Sequence, residues 1–166
     1  MAVGEAVHRS ARDEMRPVGQ QLDKLADPAE VIAAGSPLWK LFDRYRQLGL
    51  GEIGEAAAGT DPVEQALLTS RINEEMGWGD GGLAVSLSVS RFHLFFVNLT
   101  GNAELIERFG AEGAKDIGCW AVTEPDHGSD TLAFTEPSWT RPEVTANCIA
   151  RRDGDDYVIN GSKAAW

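Results

Sequence analysis

The stretch Cys119 to Asp130 reads Cys-Trp-Ala-Val-Thr-Glu-Pro-Asp-His-Gly-Ser-Asp. It sets a short apolar run, Ile117 to Val122, against a turn that contains Pro125, Gly128 and the hydroxyl residues Thr123 and Ser129. A buried strand ending in such a turn gathers free backbone N–H groups and small polar side chains at one point in space. A phosphate or a flat, hydrogen-bonding ring needs that combination. Taken alone, Thr123 and Ser129 would equally suit a strand-ending turn that satisfies its own backbone. In a second stretch, Tyr157-Val-Ile-Asn-Gly-Ser-Lys163 followed by Trp166, the Asn160 to Lys163 segment reads equally as a tight turn carrying an exposed Lys or as a segment with a structural role.

Other candidates carry less. His127 lies inside the first motif and is expected to be a solvent-facing loop residue. His93, beside Arg91, is expected to be a satisfied core or interface residue. No two of the three His fall at metal-ligand spacing, so no metal is expected. Cys119 and Cys148 are expected to be small buried thiols on strands, because no His or metal spacing accompanies either. Two cysteines are too few for a disulfide scaffold and agree with a reducing, cytoplasmic setting.

A chain of 166 residues with 43% hydrophobic content can bury a core and suits one domain, or one and part of another. The net charge of −11 argues against nucleic acid as a partner, since phosphate contacts need clustered Lys and Arg. The acids are scattered or crowd at Asp153, Asp155 and Asp156, which reads as a solvated surface. No secretory signal and no run long enough to span a bilayer are expected, hence no membrane partner.

The elements that must position these residues follow from periodicity and punctuation. Apolar positions between Glu5 and Leu25 suit an amphipathic helix that Pro17 should kink or restart. Asp27-Pro28 opens a short helix to Ala34, and Ser36-Pro37 opens another that stops before Gly49. Gly49 to Thr60 reads as a loop. Asp61-Pro62-Val63-Glu64 has capping-box spacing for a helix to about Met76, which Gly77-Trp78-Gly79 should break. Asp80 to Thr100 is apolar nearly all round and is expected to be a buried helix. Gly101-Asn102 caps a last helix to about Phe109. Beyond it, Ile117 to Val122, Val144 to Arg151 and Tyr157 to Asn160 read as strands, with Asp153-Gly154 as a hairpin turn. The expected fold class is α+β: a helical domain over 1–113 and the start of a small antiparallel β-domain over 114–166. Three or four strands with an open edge make a poor domain alone, so the sequence is expected to be an incomplete unit.

Ala121-Val-Thr-Glu-Pro-Asp-His-Gly-Ser-Asp130 resembles the flavin-binding signature of the acyl-CoA dehydrogenase family, and Tyr157 to Lys163 with Trp166 looks like the family's next strand pair. Met15-Arg-Pro17, Glu74-Glu75-Met76 with Asp80, and Gly101-Asn102 occupy the family's helical landmarks. The resemblance implies a helical N-terminal domain, a middle β-domain begun here, and a C-terminal helical bundle absent from these residues. It implies α,β-dehydrogenation of an acyl-CoA thioester in fatty-acid metabolism, with FAD as hydride acceptor and electron-transfer flavoprotein or another acceptor downstream. A homo- or hetero-oligomer is also implied.

Carried over by motif position, Thr123 and Val122 would meet the isoalloxazine edge and Trp120 would lie alongside it. Gly128 would let the backbone approach, while Ser129 would bond the FAD pyrophosphate and lie near the CoA arm. Trp166 would wall the flavin, although the family commonly places that Trp two positions after the Lys, where Ala165 stands here. The family's base is a carboxylate of the missing bundle, so no catalytic residue is assigned and Glu124 is read as structural. The interval Thr131 to Asp156 is longer than usual for the family and reads as a surface loop, with Trp139 a candidate ligand or subunit contact. An acyl-CoA oxidase or flavin monooxygenase on the same scaffold, or a non-catalytic chain that binds a partner supplying the bundle, are the competing expectations.

Overall fold

In a computed structural model the described residues are 2–50, 61–110, 116–128, 135–136 and 146–164. They form helices followed by a small antiparallel hairpin, an α+β chain in two compact units, Met1–Cys119 and Trp120–Trp166. Residues 51–60 of the expected loop, half of the interval Thr131 to Asp156, and Ser129 and Trp166 lie outside the described residues.

The first unit opens with α1 (Ala2–Ser10), which continues through a π-helical turn (Ala11–Met15) into α2 (Arg16–Leu22). The expected disturbance at Pro17 takes that form. Proline has no N–H for the Asp13 carbonyl, and the widened turn just before it absorbs the misfit, with the Arg16 N–H reaching the Ala11 carbonyl. Next, α3 (Pro28–Val31) is shorter than the expected run to Ala34, and α4 spans Pro37–Gln47. Both begin as read: the side chains of Asp27 and Ser36 accept from the amides of Ala29 and Leu38, with Pro at the first helical position.

Asp61 likewise accepts from the Val63 and Glu64 amides to start α5 (Pro62–Gly79). This helix passes through Gly77-Trp78, contrary to expectation. Glycine costs a helix only about 1 kcal/mol, and tertiary packing here outweighs it. Trp78 stacks on His8 of α1 with ring centres 4.8 Å apart, and His8 Nδ1 lies 2.6 Å from the buried Glu75 carboxylate, which also pairs with Arg71. The helix stops where Asp80 turns extended, and its side chain accepts from the Leu83 amide to start α6.

The apolar stretch 80–100 is two helices, α6 (Gly81–Val89) and α7 (Phe92–Thr100), separated at Ser90-Arg91. Nor is it buried all round. Leu83, Leu87 and Leu94 are buried, whereas Val85, Phe95, Phe96 and Leu99 are exposed. By length and composition alone, Gly81–Thr100 is apolar enough to cross a membrane, which corrects the expectation that no run reaches that length. Such a test is also passed by helices of soluble proteins. Gly101 ends α7, and Asn102 caps α8 (Ala103–Phe109) through the Glu104 and Leu105 amides. The core joins Val7, Met15 and Leu22 from the first helices, Leu38, Leu41, Phe42 and Tyr45 from α4, Ile72 and Met76 from α5, and Leu83 and Leu87 from α6. Burial pushes the Tyr45 phenol above its usual pKa, so it stays neutral.

In the second unit, β1 (Ile149–Asp153) pairs antiparallel with β2 (Asp156–Asn160), in the register Ile149↔Asn160, Arg151↔Val158 and Asp153↔Asp156. Gly154, at φ +64°, supplies the left-handed residue that a two-residue hairpin turn demands. Residues 116–123 are not the expected strand. They run without a ladder partner among the described residues, because the hydrogen bonds of this segment go to turns and to the chain after β2.

Candidate functional site

The turn after Thr123 closes on itself before anything else holds it. Glu124 N–H donates to the His127 carbonyl at 2.8 Å and His127 N–H returns to the Glu124 carbonyl at 3.2 Å, bracketing Pro125 and Asp126. Proline at the second position presets the φ that such a turn requires. The turn then points its carboxylate inward. Glu124 is 2% exposed, and its oxygens accept from the Asn147 amide at 2.6 Å, the Cys148 amide at 3.0 Å and Lys163 Nζ at 2.8 Å. A buried carboxylate is tolerable only when donors replace its lost water, and here they do.

Two further bonds fix the residues beside it. Ala164 N–H donates to the Thr123 carbonyl at 3.0 Å, and Lys163 Nζ reaches the Val122 carbonyl at 3.4 Å. The segment after β2 therefore lies against Val122, Thr123 and Glu124. Lys163 is exposed, as the sequence suggested, and its ammonium is also the cation of this cluster, paired with the buried Glu124. Asn147 adds a side-chain bond to Asp126 at 3.3 Å.

The Lys163 hydrogen bond, above all, holds the Glu124 carboxyl at about 2, with the Asn147 and Cys148 amides adding to the effect and burial opposing it. Its oxygens are occupied and it is ionised at neutral pH, so it is unsuited to take up a proton in catalysis. The structural reading of Glu124 agrees with this geometry. Since the folded pKa lies below the ordinary 4.5, the cluster's contribution is complete above that pH and is lost as pH falls from 4.5 toward 2. An NMR titration of the Cys148 and Ala164 amides is expected to be flat from neutral pH to the upper edge of that window and to move within it. A Glu124→Gln variant should not show this transition, and a wild-type midpoint at the ordinary carboxylate value would contradict the arrangement.

Of the residues singled out from sequence, Trp120, Val122, Thr123 and Gly128 lie along this one segment, Trp120 exposed and the others half-buried. Among the described residues, a Cβ at Gly128 would meet only Thr123 Cγ2, at 4.0 Å. Ser129, Trp139 and Trp166 fall outside the described residues. Cys119 is exposed and Cys148 half-buried, both as free thiols and neither within a strand, which corrects the expectation for both. His93, in the first unit, is not fully satisfied either. Its Nδ1 lies 3.2 Å from the Ser90 carbonyl, while Nε2 is buried with no partner among the described residues. Sequence reasoning passed over the Glu124–Lys163 pair because 39 residues separate them. Its trace was an acid and a base, one in each of two glycine-containing turns.

Comparison with known proteins bears on what the segment serves. The chain is 30% identical over 140 residues to the probable medium-chain specific acyl-CoA dehydrogenase 2, mitochondrial, of Caenorhabditis briggsae, a match covering 82% of this chain and 31% of that protein. It is 28% identical over 173 residues to the human short-chain specific acyl-CoA dehydrogenase, mitochondrial, covering 94% and 34%. The glutaryl-CoA dehydrogenase of Desulfococcus multivorans matches at 28% over 109 residues, covering 63% and 25%. The chain thus spans about a third of the length of the first two relatives. No family model and no solved structure matches it. Over most of its own length, then, this chain is similar to several curated acyl-CoA dehydrogenases.

Proposed function

We infer that the polypeptide carrying these residues is an FAD-dependent acyl-CoA dehydrogenase, and that Trp120 to Ser129 forms part of its flavin and acyl-CoA site. The observation that carries this reading is the turn after Thr123, held from one side by Glu124, Lys163 and Ala164, in a chain similar to acyl-CoA dehydrogenases. The residues fit the cofactor. Gly128 is a position where, among the described residues, a Cβ would meet only Thr123 Cγ2 at 4.0 Å, and a site without a side chain suits the close approach of another group. Bound FAD would supply the acceptor for the hydride leaving the β-carbon of the acyl thioester.

The chain's own residues bind and orient. With the Val122 and Thr123 carbonyls engaged and the Val122 N–H donating to the Trp120 carbonyl at 3.1 Å, Thr123 would present its hydroxyl and its own N–H to the polar edge of the ring. Donors placed there in advance stabilise negative charge as the ring is reduced. Trp120 would cover the ring's side, Ser129 would bond the pyrophosphate and lie near the CoA arm, and Trp166 would complete the flavin wall. The α-proton goes to a carboxylate outside these 166 residues, Glu124 being committed to its three donors. Reoxidation by electron-transfer flavoprotein or a similar acceptor, and assembly as an oligomer, belong to the same reading.

Replacing Thr123 and Ser129 together by alanine in the natural polypeptide tests it. Each lost hydrogen bond contributes about 1 kcal/mol, so FAD affinity is expected to fall about thirtyfold, read from the visible flavin absorbance, with turnover falling in step. Unchanged flavin occupancy and turnover would overturn the assignment. A wild-type polypeptide that binds no FAD would favour a non-catalytic partner chain instead. Rapid reoxidation of the substrate-reduced protein by oxygen would favour an acyl-CoA oxidase.

A further inference from the structure

We propose that Lys163 and Glu124 are positioning residues: together they set the backbone of Val122 and Thr123, and through it the edge on which the flavin ring is seated. The inference rests on the flavin reading above but is drawn from contacts within the second unit. Lys163 Nζ lies 2.8 Å from a Glu124 oxygen and 3.4 Å from the Val122 carbonyl, so one ammonium holds the residues on both sides of Thr123. The next residue, Ala164, donates its N–H to Thr123 itself at 3.0 Å. Three consecutive residues, Val122, Thr123 and Glu124, are therefore gripped by two, Lys163 and Ala164. That sets the offset between the first motif and the segment leading to Trp166.

A slip by one residue would put Val122 or Glu124 where the Thr123 carbonyl now meets the Ala164 amide. Glu124 resists that slip from the other end. Its two oxygens are shared among Lys163 and the amides of Asn147 and Cys148, which enter β1, so the turn is tied to both ends of the hairpin. Several charge-assisted hydrogen bonds on one carboxylate are stronger and more directional than neutral ones. The site's precision thus comes from a residue pair that need touch neither cofactor nor substrate.

Lys163→Met in the natural polypeptide removes the cation and keeps most of the stem, and Lys163→Arg keeps the charge. Amide exchange reads the clasp and FAD titration reads the positioning. Lys163→Met is expected to speed exchange at Asn147, Cys148 and Ala164 and to weaken FAD binding about tenfold, the scale of one charge-assisted hydrogen bond. Lys163→Arg is expected to restore most of both. Unaltered exchange in Lys163→Met would overturn the clasp, and faster exchange with unaltered FAD affinity would overturn its positioning role. If Lys163→Met fails to fold, Lys163→Arg decides: normal exchange with normal FAD affinity supports the proposal, and normal exchange with lost affinity overturns it. Absence of FAD from the wild type would remove the flavin reading alone, leaving the clasp to be judged by exchange.

Discussion

Leu87→Ala is expected to destabilise the helical unit by about 3 kcal/mol and to lower its melting temperature on the order of 15 °C. Leu87 is 2% exposed and, with Val7, is among the largest fully buried side chains described. It sits in the cluster that joins the N-terminal helices, α4, α5 and α6, so the vacated volume has walls on several elements and cannot collapse by moving one of them. Val85 lies two residues away on the same helix and is half exposed. Val85→Ala removes little buried area and should cost about 0.5 kcal/mol or less. Urea titration of the two variants, with unchanged slopes, reads the contrast. Equal losses at the two positions would mean that the buried face of α6 is not the one described.

The helical unit was legible where the signal is local. Asp27, Ser36, Asp61 and Asn102 each cap the helix that their position announced, because an N-cap needs only a short polar side chain and the following two or three amides. Asp153-Gly154 announced the hairpin for the same reason. What failed was decided by contacts distant in sequence. The passage of α5 through Gly77-Trp78 depends on Trp78 meeting His8, 70 residues away in the chain. The split of the apolar stretch at Ser90-Arg91 shows no glycine or proline to announce it. Its exposed Phe95, Phe96 and Leu99 show that composition reports how apolar a stretch is, and not which of its faces has a partner among the described residues.

The candidate site divides along the same line. Thr123, Gly128 and the turn around Pro125 could be read from adjacent residues. In the sequence Glu124 is structural only by analogy, because its three donors are distant in the chain, two from the start of the hairpin and one from beyond its end. Ile117 to Val122 has the composition of a strand, but a strand needs a ladder, and none of the described residues supplies one.

Gly161→Ala is expected to have the largest effect of any single methyl added to the second unit, about 2–3 kcal/mol of lost stability. Gly161 has φ +144°, a conformation that L side chains rarely adopt, so alanine would be strained there even in open space. The space is not open. The added Cβ would lie 2.7 Å from Cys148 Cβ and 3.0 Å from its backbone nitrogen, and no rotamer change moves a Cβ or a backbone nitrogen aside. Cys148 would have to retreat, and its amide is one of the donors to Glu124 at 3.0 Å. Strain at Gly161 therefore passes to the turn after Thr123, although the two share no bond. Faster exchange at the Cys148 amide should accompany the loss of stability, and FAD affinity should fall with it. Gly154 provides the control within the same hairpin. Its φ is +64° and none of the described residues lies within 4 Å of its would-be Cβ, so Gly154→Asn, a residue that tolerates this conformation, should cost less than about 1 kcal/mol and leave Cys148 exchange unchanged. If the two substitutions cost the same, the close packing of Gly161 on Cys148 is not what holds the hairpin against the turn.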